Sequence, residues 1–185
     1  MATRAARLAI CVVVACAANT ASADPLPSGS IGAVFGGTSG TGADARRIGY
    51  GFVAGAQATW QPMTTEQRFG WSLKWSAISG LAMWHASAAR ITDLVTLQFD
   101  MVGGLRIRPG LSAGRYLTLR AGPTLFRANQ LIPPTMHRAF VGGVANVGFE
   151  QHVSGWLFNL DVRYSMLLDG PSAISLVLGV AKTGP

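Results

Sequence analysis

From Leu97 to Ile107 every second residue is apolar or glycine: Leu97, Phe99, Met101, Gly103, Leu105, Ile107. The alternate set is Gln98, Asp100, Val102, Gly104, Arg106 and Arg108. A period of two is the signature of a β-strand with one apolar and one charged face. The same pattern is cleanest between Trp156 and Leu167, where Trp156, Phe158, Leu160, Val162, Tyr164 and Met166 alternate with Leu157, Asn159, Asp161, Arg163 and Ser165. Two architectures accept such strands. A soluble sheet turns the apolar face to a core. A closed barrel in lipid turns it outward and points the charges into a lumen.

The remaining strands favour the barrel. Ser30–Gly37 places Ile31, Ala33 and Phe35 on one side. Ile48–Gln61 places Tyr50, Phe52, Ala54, Ala56, Ala58 and Trp60 on one side and Gly49, Gly51, Val53, Gly55, Gln57 and Thr59 on the other. From Tyr50 to Trp60 a strand tilted by about 40° rises roughly 25 Å, the height of the apolar band of a bilayer. Arg68–Ala77 carries Phe69, Trp71, Leu73 and Trp75 on one face, which a small soluble core would struggle to hide. Ile91–Arg108 contains the opening stretch. Tyr116–Phe126 follows, with Pro123 expected to mark a bulge or strand end because it lacks a ladder donor. Then come Ala139–Gln151, Trp156–Leu167 and Ala173–Lys182. That makes eight strands. Their connections alternate between long (Thr38–Arg47, Ser79–Arg90, Arg127–Arg138) and short (Pro62–Gln67, Pro109–Gly114, His152–Gly155), with a short last turn at Asp169. Outer-membrane barrels show this even strand count and this alternation.

The start of the chain sets the compartment. Arg4 and Arg7, the apolar run Leu8–Ala18 and the small residues Ala21-Ser22-Ala23 read as an export signal over residues 1–23. A lipoprotein signal acting at Cys16 is the rival reading. Residues 24–29 form a Pro/Ser lead-in, and 30–185 the barrel domain. Both cysteines, Cys11 and Cys16, fall in the signal, so the mature chain offers no disulfide, thiol nucleophile or Cys-based metal site. The net charge of +7 includes Arg4 and Arg7. The pI near 10.5 does not imply nucleic acid, because the basic residues stand singly and form no run. The 23 glycines suit tightly curved strands.

The eightfold pattern, together with Leu119-Arg120-Ala121-Gly122-Pro123 and Gly148-Phe149-Glu150, resembles the small eight-stranded outer-membrane β-barrel proteins of Gram-negative bacteria. The resemblance implies an all-β fold, an up-and-down antiparallel transmembrane meander. It also implies contact with outer-membrane lipid and insertion by the barrel-assembly machinery. Such proteins usually end on an aromatic residue, whereas this chain ends Ala181-Lys182-Thr183-Gly184-Pro185.

Two residue sets are candidates for function. The inward set is Lys74, Gln98, Asp100, Arg106, Arg120, Asn146, Glu150, Asn159, Asp161 and Arg163, expected to form a paired polar network that fills the lumen. The outward set is a lipid-facing aromatic girdle of Tyr50, Phe52, Trp60, Phe69, Trp71, Trp75, Phe149, Trp156, Phe158 and Tyr164. His85-Ala86-Ser87 resembles the His-x-Ser of outer-membrane lipid A deacylases, but Ala88 stands where that pattern needs Asn, and His85 falls in an expected loop. His137 and His152 stand alone and read as solvated. No cofactor motif, metal-ligand spacing or paired catalytic carboxylates appear. The sequence therefore points to a non-enzymatic barrel with a structural or surface-interaction role. The alternatives are a narrow channel for small solutes, and a soluble periplasmic barrel that holds a lipophilic ligand with Trp71, Trp75 and Trp156 inside.

Overall fold

The computed structural model describes residues 29–41, 48–62, 67–87, 90–110, 114–130 and 137–184. The expected export signal over residues 1–23 and residues 24–28 of the expected lead-in lie outside these. Eight strands form one closed antiparallel barrel in meander order: β1 (Gly29–Gly40), β2 (Ile48–Trp60), β3 (Phe69–Ser87), β4 (Arg90–Ile107), β5 (Arg115–Gln130), β6 (His137–Val153), β7 (Trp156–Leu167) and β8 (Ser172–Thr183). β1 pairs with β8 from Ser30↔Thr183 to Gly40↔Ala173, so no strand edge is left open along the wall. Both ends of the barrel chain meet, with the Gly184 amide donating to the Gly29 carbonyl at 2.8 Å. We call this the termini end and the opposite one the far end.

Burial follows the period of two. On β7 exposed and buried residues alternate without a break from Trp156 to Leu167. The large exposed apolar side chains lie on the outward phase, and the buried charges all lie on the inward phase. The β6–β7 connection is a two-residue turn, Ser154-Gly155, with φ of 47° and 78°. Positive φ at both positions is the type I′ geometry, whose twist matches the flanking strands.

Several strand ends differ from the sequence reading. Residues 79–87 are not a loop: β3 continues to Ser87 and β4 begins at Arg90, pairing Trp84 with Thr92 and His85 with Ile91. Only residues 88 and 89 separate the two strands. β5 and β6 likewise run on to Gln130 and from His137, so much of the expected Arg127–Arg138 loop is ladder, with Asn129 opposite His137. β1 extends through Thr38 to Gly40. The long–short alternation of connections is therefore weaker than expected, because the expected long loops are largely extended hairpins.

Pro123 neither ends β5 nor shifts its register. It sits opposite Gly143 on β6, and on the β4 side the pairs Asp100↔Thr124 and Gly103↔Ala121 keep one register across it. One missing donor weakens a ladder locally, but the pairs on either side hold it in place.

Inward-facing glycines permit close approach between strands. A methyl group on Gly55 would run into the Ala77 carbonyl oxygen, and one on Gly122 into that of Met101. On the outer face, a methyl on Gly103 would meet only the Leu73 side chain at 3.5 Å and the Ser72 carbonyl oxygen at 3.9 Å. Gly55→Ala and Gly122→Ala should each destabilise the barrel by about 3 kcal/mol or prevent closure, the upper end of an overpacking penalty. Gly103→Ala should stay within about 0.5 kcal/mol of the parent. Urea midpoints of detergent-folded protein check this ranking, and equal losses at all three positions would contradict it.

Candidate functional site

The period of two sends charges from five strands into one interior. Lys74 on β3, Asp100 and Arg106 on β4, Arg120 on β5, Glu150 on β6, and Asp161 and Arg163 on β7 are all buried, with Arg106, Arg120 and Glu150 each 1% exposed. Three carboxylates organise them. Glu150 takes two cations: Arg106 Nε donates to Oε2 at 3.0 Å and Arg120 Nη2 donates to Oε1. Arg120 also donates to Ser72 Oγ at 2.7 Å and Thr118 Oγ1 at 3.2 Å. Asp161 pairs with Lys74 and accepts from Asn159 Nδ2 at 2.8 Å, while Asn159 Oδ1 accepts from Gln57 Nε2 at 2.6 Å. Asp100 pairs with Arg163 and accepts from Thr124 Oγ1 at 2.6 Å, Gln98 Nε2 at 2.8 Å and Ser76 Oγ at 3.1 Å.

Some of these bonds join neighbouring strands, and others cross the barrel. Glu150 on β6 reaches Arg106 two strands away, and Asp161 on β7 reaches Lys74 four strands away. A buried charge left alone is strongly unfavourable, so such pairs fix the side chains that hold them. Asn146, also buried, stands between Arg120 and Arg163 in register, opposite one on β5 and the other on β7.

Two further features belong to the interior, one of them around a histidine that the sequence reading left solvated. Towards the termini end, His152 is half-buried and lies in β6 rather than in a turn. It is not solvated alone. Its Nε2 is 2.6 Å from Arg106 Nη2 and 3.4 Å from Gln61 Nε2. The Arg106 guanidinium carbon stands 3.5 Å above the ring of buried Tyr116, which meets the His152 ring edge-on. Phase alone could have found these residues. Tyr116 shares a face with Thr118 and Arg120, and His152 shares one with Asn146 and Glu150. The second feature is an apolar cluster of Val34, Ile78 and Val177, with Val53 packed against it. Its signal in the sequence was also phase, since all four occupy inward positions.

The aromatic set lies on the outer wall. Tyr50 and Phe52 are 80% and 82% exposed, and Trp60, Phe69, Trp75, Phe149, Trp156, Phe158 and Tyr164 are exposed as well. Trp71 is half-buried, packed edge-on to Trp60 with ring centroids 4.5 Å apart. Lys182 Nζ lies 5.2 Å from the Trp156 ring centroid. His85 and Ser87 occupy paired strand positions, opposite Ile91 and Arg90. Among the described residues no group of three or more His, Cys, Asp or Glu side chains is placed to hold a metal ion.

The shared carboxylate gives a test of the network. Glu150→Gln should lower the unfolding free energy by about 3–5 kcal/mol, because two buried guanidinium groups lose their common counter-charge. Replacing Lys74 with Met and Asp161 with Leu together should cost less than either change alone, since the double variant leaves no orphaned charge. Urea titration in detergent reads both, and additive losses for the double variant would mean that Lys74 and Asp161 do not act as a pair.

No protein-family model and no curated protein sequence matches the chain. Solved structures do. The attachment invasion locus protein Ail of Yersinia pestis aligns with a TM-score of 0.56 at 14% identity, over 84% of this chain and 95% of Ail. Ail in complex with the heparin analogue sucrose octasulfate aligns with a TM-score of 0.58 at 14% identity, over 84% and 96% of the two chains. Neisserial surface protein A aligns with a TM-score of 0.57 at 10% identity, over 84% and 97%. Closed meander, outward apolar wall and inward charges agree with this likeness: the chain has the fold of the small eight-stranded outer-membrane β-barrels.

Proposed function

We propose that this chain is an integral outer-membrane barrel whose interior is filled, and that it serves a structural or surface-interaction role rather than catalysis or bulk transport. One observation carries the reading: the same strands put apolar side chains outward and ion-paired charges inward. An apolar outer wall belongs in lipid, where every backbone group must be satisfied by a closed ladder. A soluble barrel built around a lipophilic ligand needs the opposite placement of Trp75 and Trp156, both of which are exposed. In this reading the termini end faces the periplasm and the far end faces out, the exposed Trp60 and Trp156 lie towards one interface and Tyr50 and Tyr164 towards the other, and insertion uses the barrel-assembly machinery. The inward cations Lys74, Arg106, Arg120 and Arg163 are engaged by carboxylates and are not offered to an external polyanion.

The interior supports a plug. Eight strands enclose a space that side chains just fill. The Glu150, Asp161 and Asp100 clusters occupy part of it, and the Val34–Ile78–Val177 cluster adds an apolar layer that water enters reluctantly. The narrow channel has one observation in its favour. Gln57 Oε1, Asn146 Oδ1 and Asp161 Oδ1 are buried acceptors with no hydrogen-bond donor among the described residues, and water is the ordinary partner of such groups.

A planar-bilayer recording separates the two. The unmodified protein should show no steady ionic conductance. The double variant Arg106→Ala, Arg163→Ala should leak, because two bulky cations leave and the remaining carboxylates draw in water and cations. A steady conductance from the unmodified protein would reject the plug in favour of the channel.

A further inference from the structure

The outer wall is not evenly bulky. In register across the strands, Ala56 on β2 faces Ala77 on β3, which faces Phe99 on β4, which faces Leu125 on β5. Ala58 and Trp75 form the adjacent pair. These six residues help line a shallow, almost wholly apolar groove of about 560 Å³ on the outside of the barrel. The alanines supply its width, and Trp75, Phe99 and Leu125 stand beside them.

The outward row of β5 is apolar from Leu117 through Leu119, Ala121 and Pro123 to Leu125, and then changes to Arg127. Arg127 is exposed, opposite Leu97 on β4 and Ala139 on β6. It lies two residues past Leu125, about 6.6 Å further towards the far end. A guanidinium on the lipid side of a strand is unfavourable at mid-bilayer and tolerated at headgroup depth. There its planar fork matches a phosphate bidentately. An apolar groove with a phosphate-matching cation just beyond it has the polarity of a lipid, tail and head.

We propose that the groove and Arg127 form a binding site for a phosphorylated lipid of the external leaflet, with an acyl chain along Ala56, Ala58 and Ala77 and a phosphate on Arg127. This rests on the outer-membrane reading above. A second copy of the chain fits less well. An isologous contact would bring the same apolar row and a second Arg127 to this face, and would supply no anion.

Native mass spectrometry of the barrel in neutral detergent tests the proposal, with diphosphorylated hexa-acyl lipid A and its fully dephosphorylated form as probes. The parent protein should retain one phosphorylated lipid about tenfold more strongly than the dephosphorylated one, as expected for one charge-assisted contact. Arg127→Gln should reduce the phosphorylated lipid to the level of the other and leave the other unchanged. Ala77→Trp fills the groove and should weaken both, and Ala56→Met narrows it should the tryptophan variant fail to close. The heat-dependent gel shift of a closed barrel confirms folding in each case. Retention unaffected by Arg127→Gln, or by both groove variants, would overturn the site. So would a dimer that the groove variants abolish, which would assign the face to a second copy. A parent protein that stays monomeric and dispersed without detergent would instead overturn the membrane reading itself.

Discussion

An eight-stranded barrel has an interior little wider than the side chains that point into it. A charge turned inward is stabilised by a counter-charge there, because a buried charge left alone in so narrow a space is costly. Glu150 shows how strict this is. It is a single buried carboxylate held by Arg106 and Arg120, and those cations anchor further groups in turn: Arg120 to Ser72 and Thr118, Arg106 to Tyr116 and His152. Strand register and interior chemistry therefore fix each other. A slip of one residue in any strand would send its charges outward and its aromatics inward.

The outer wall follows from the same alternation. Once the charged phase is inside, the remaining phase carries Phe, Leu, Val, Trp and Tyr around the whole circumference. Closure of β1 on β8 satisfies the backbone along that wall. The two requirements of a lipid-embedded sheet, an apolar outer surface and no open edge, are thus met by one sequence property and one topological step. The barrel's shape in turn depends on glycines such as Gly55 and Gly122, whose neighbours' carbonyl oxygens occupy the space a side chain would take.

Most of this is written in the alternation, and it is clearest where the two phases differ most. β7 begins at Trp156 and ends at Leu167 in both the sequence reading and the structure, since its phases are aromatic or aliphatic against mostly polar. The far ends of β3 and β4 were harder. From Ser79 to Ser87 both phases mix small, apolar and polar residues, so the period of two fades although the ladder continues. Pro123 was misleading because a lost donor matters less in a strand paired on both sides than in isolation. The polar residues of the interior were identifiable by phase, but their partners were not. Glu150 meets Arg106, and Lys74 meets Asp161, across a closed tube whose stagger no single strand encodes. Tyr116 reads only as the start of its strand and His152 as a solvated turn residue, although both fall on inward positions.

The central claim is that one phase of every strand meets lipid and the other meets only packed protein. Single spin labels placed at each position from Trp156 to Leu167, in the protein reconstituted into bilayers, measure it directly through their collisions with oxygen and with a water-soluble nickel chelate. Oxygen accessibility should rise at Phe158, Leu160, Val162 and Tyr164 while the chelate stays excluded there. Labels at Asn159, Asp161 and Arg163 should be shielded from both reagents. A chelate signal that rises at the outward positions would put that face in water and contradict the account.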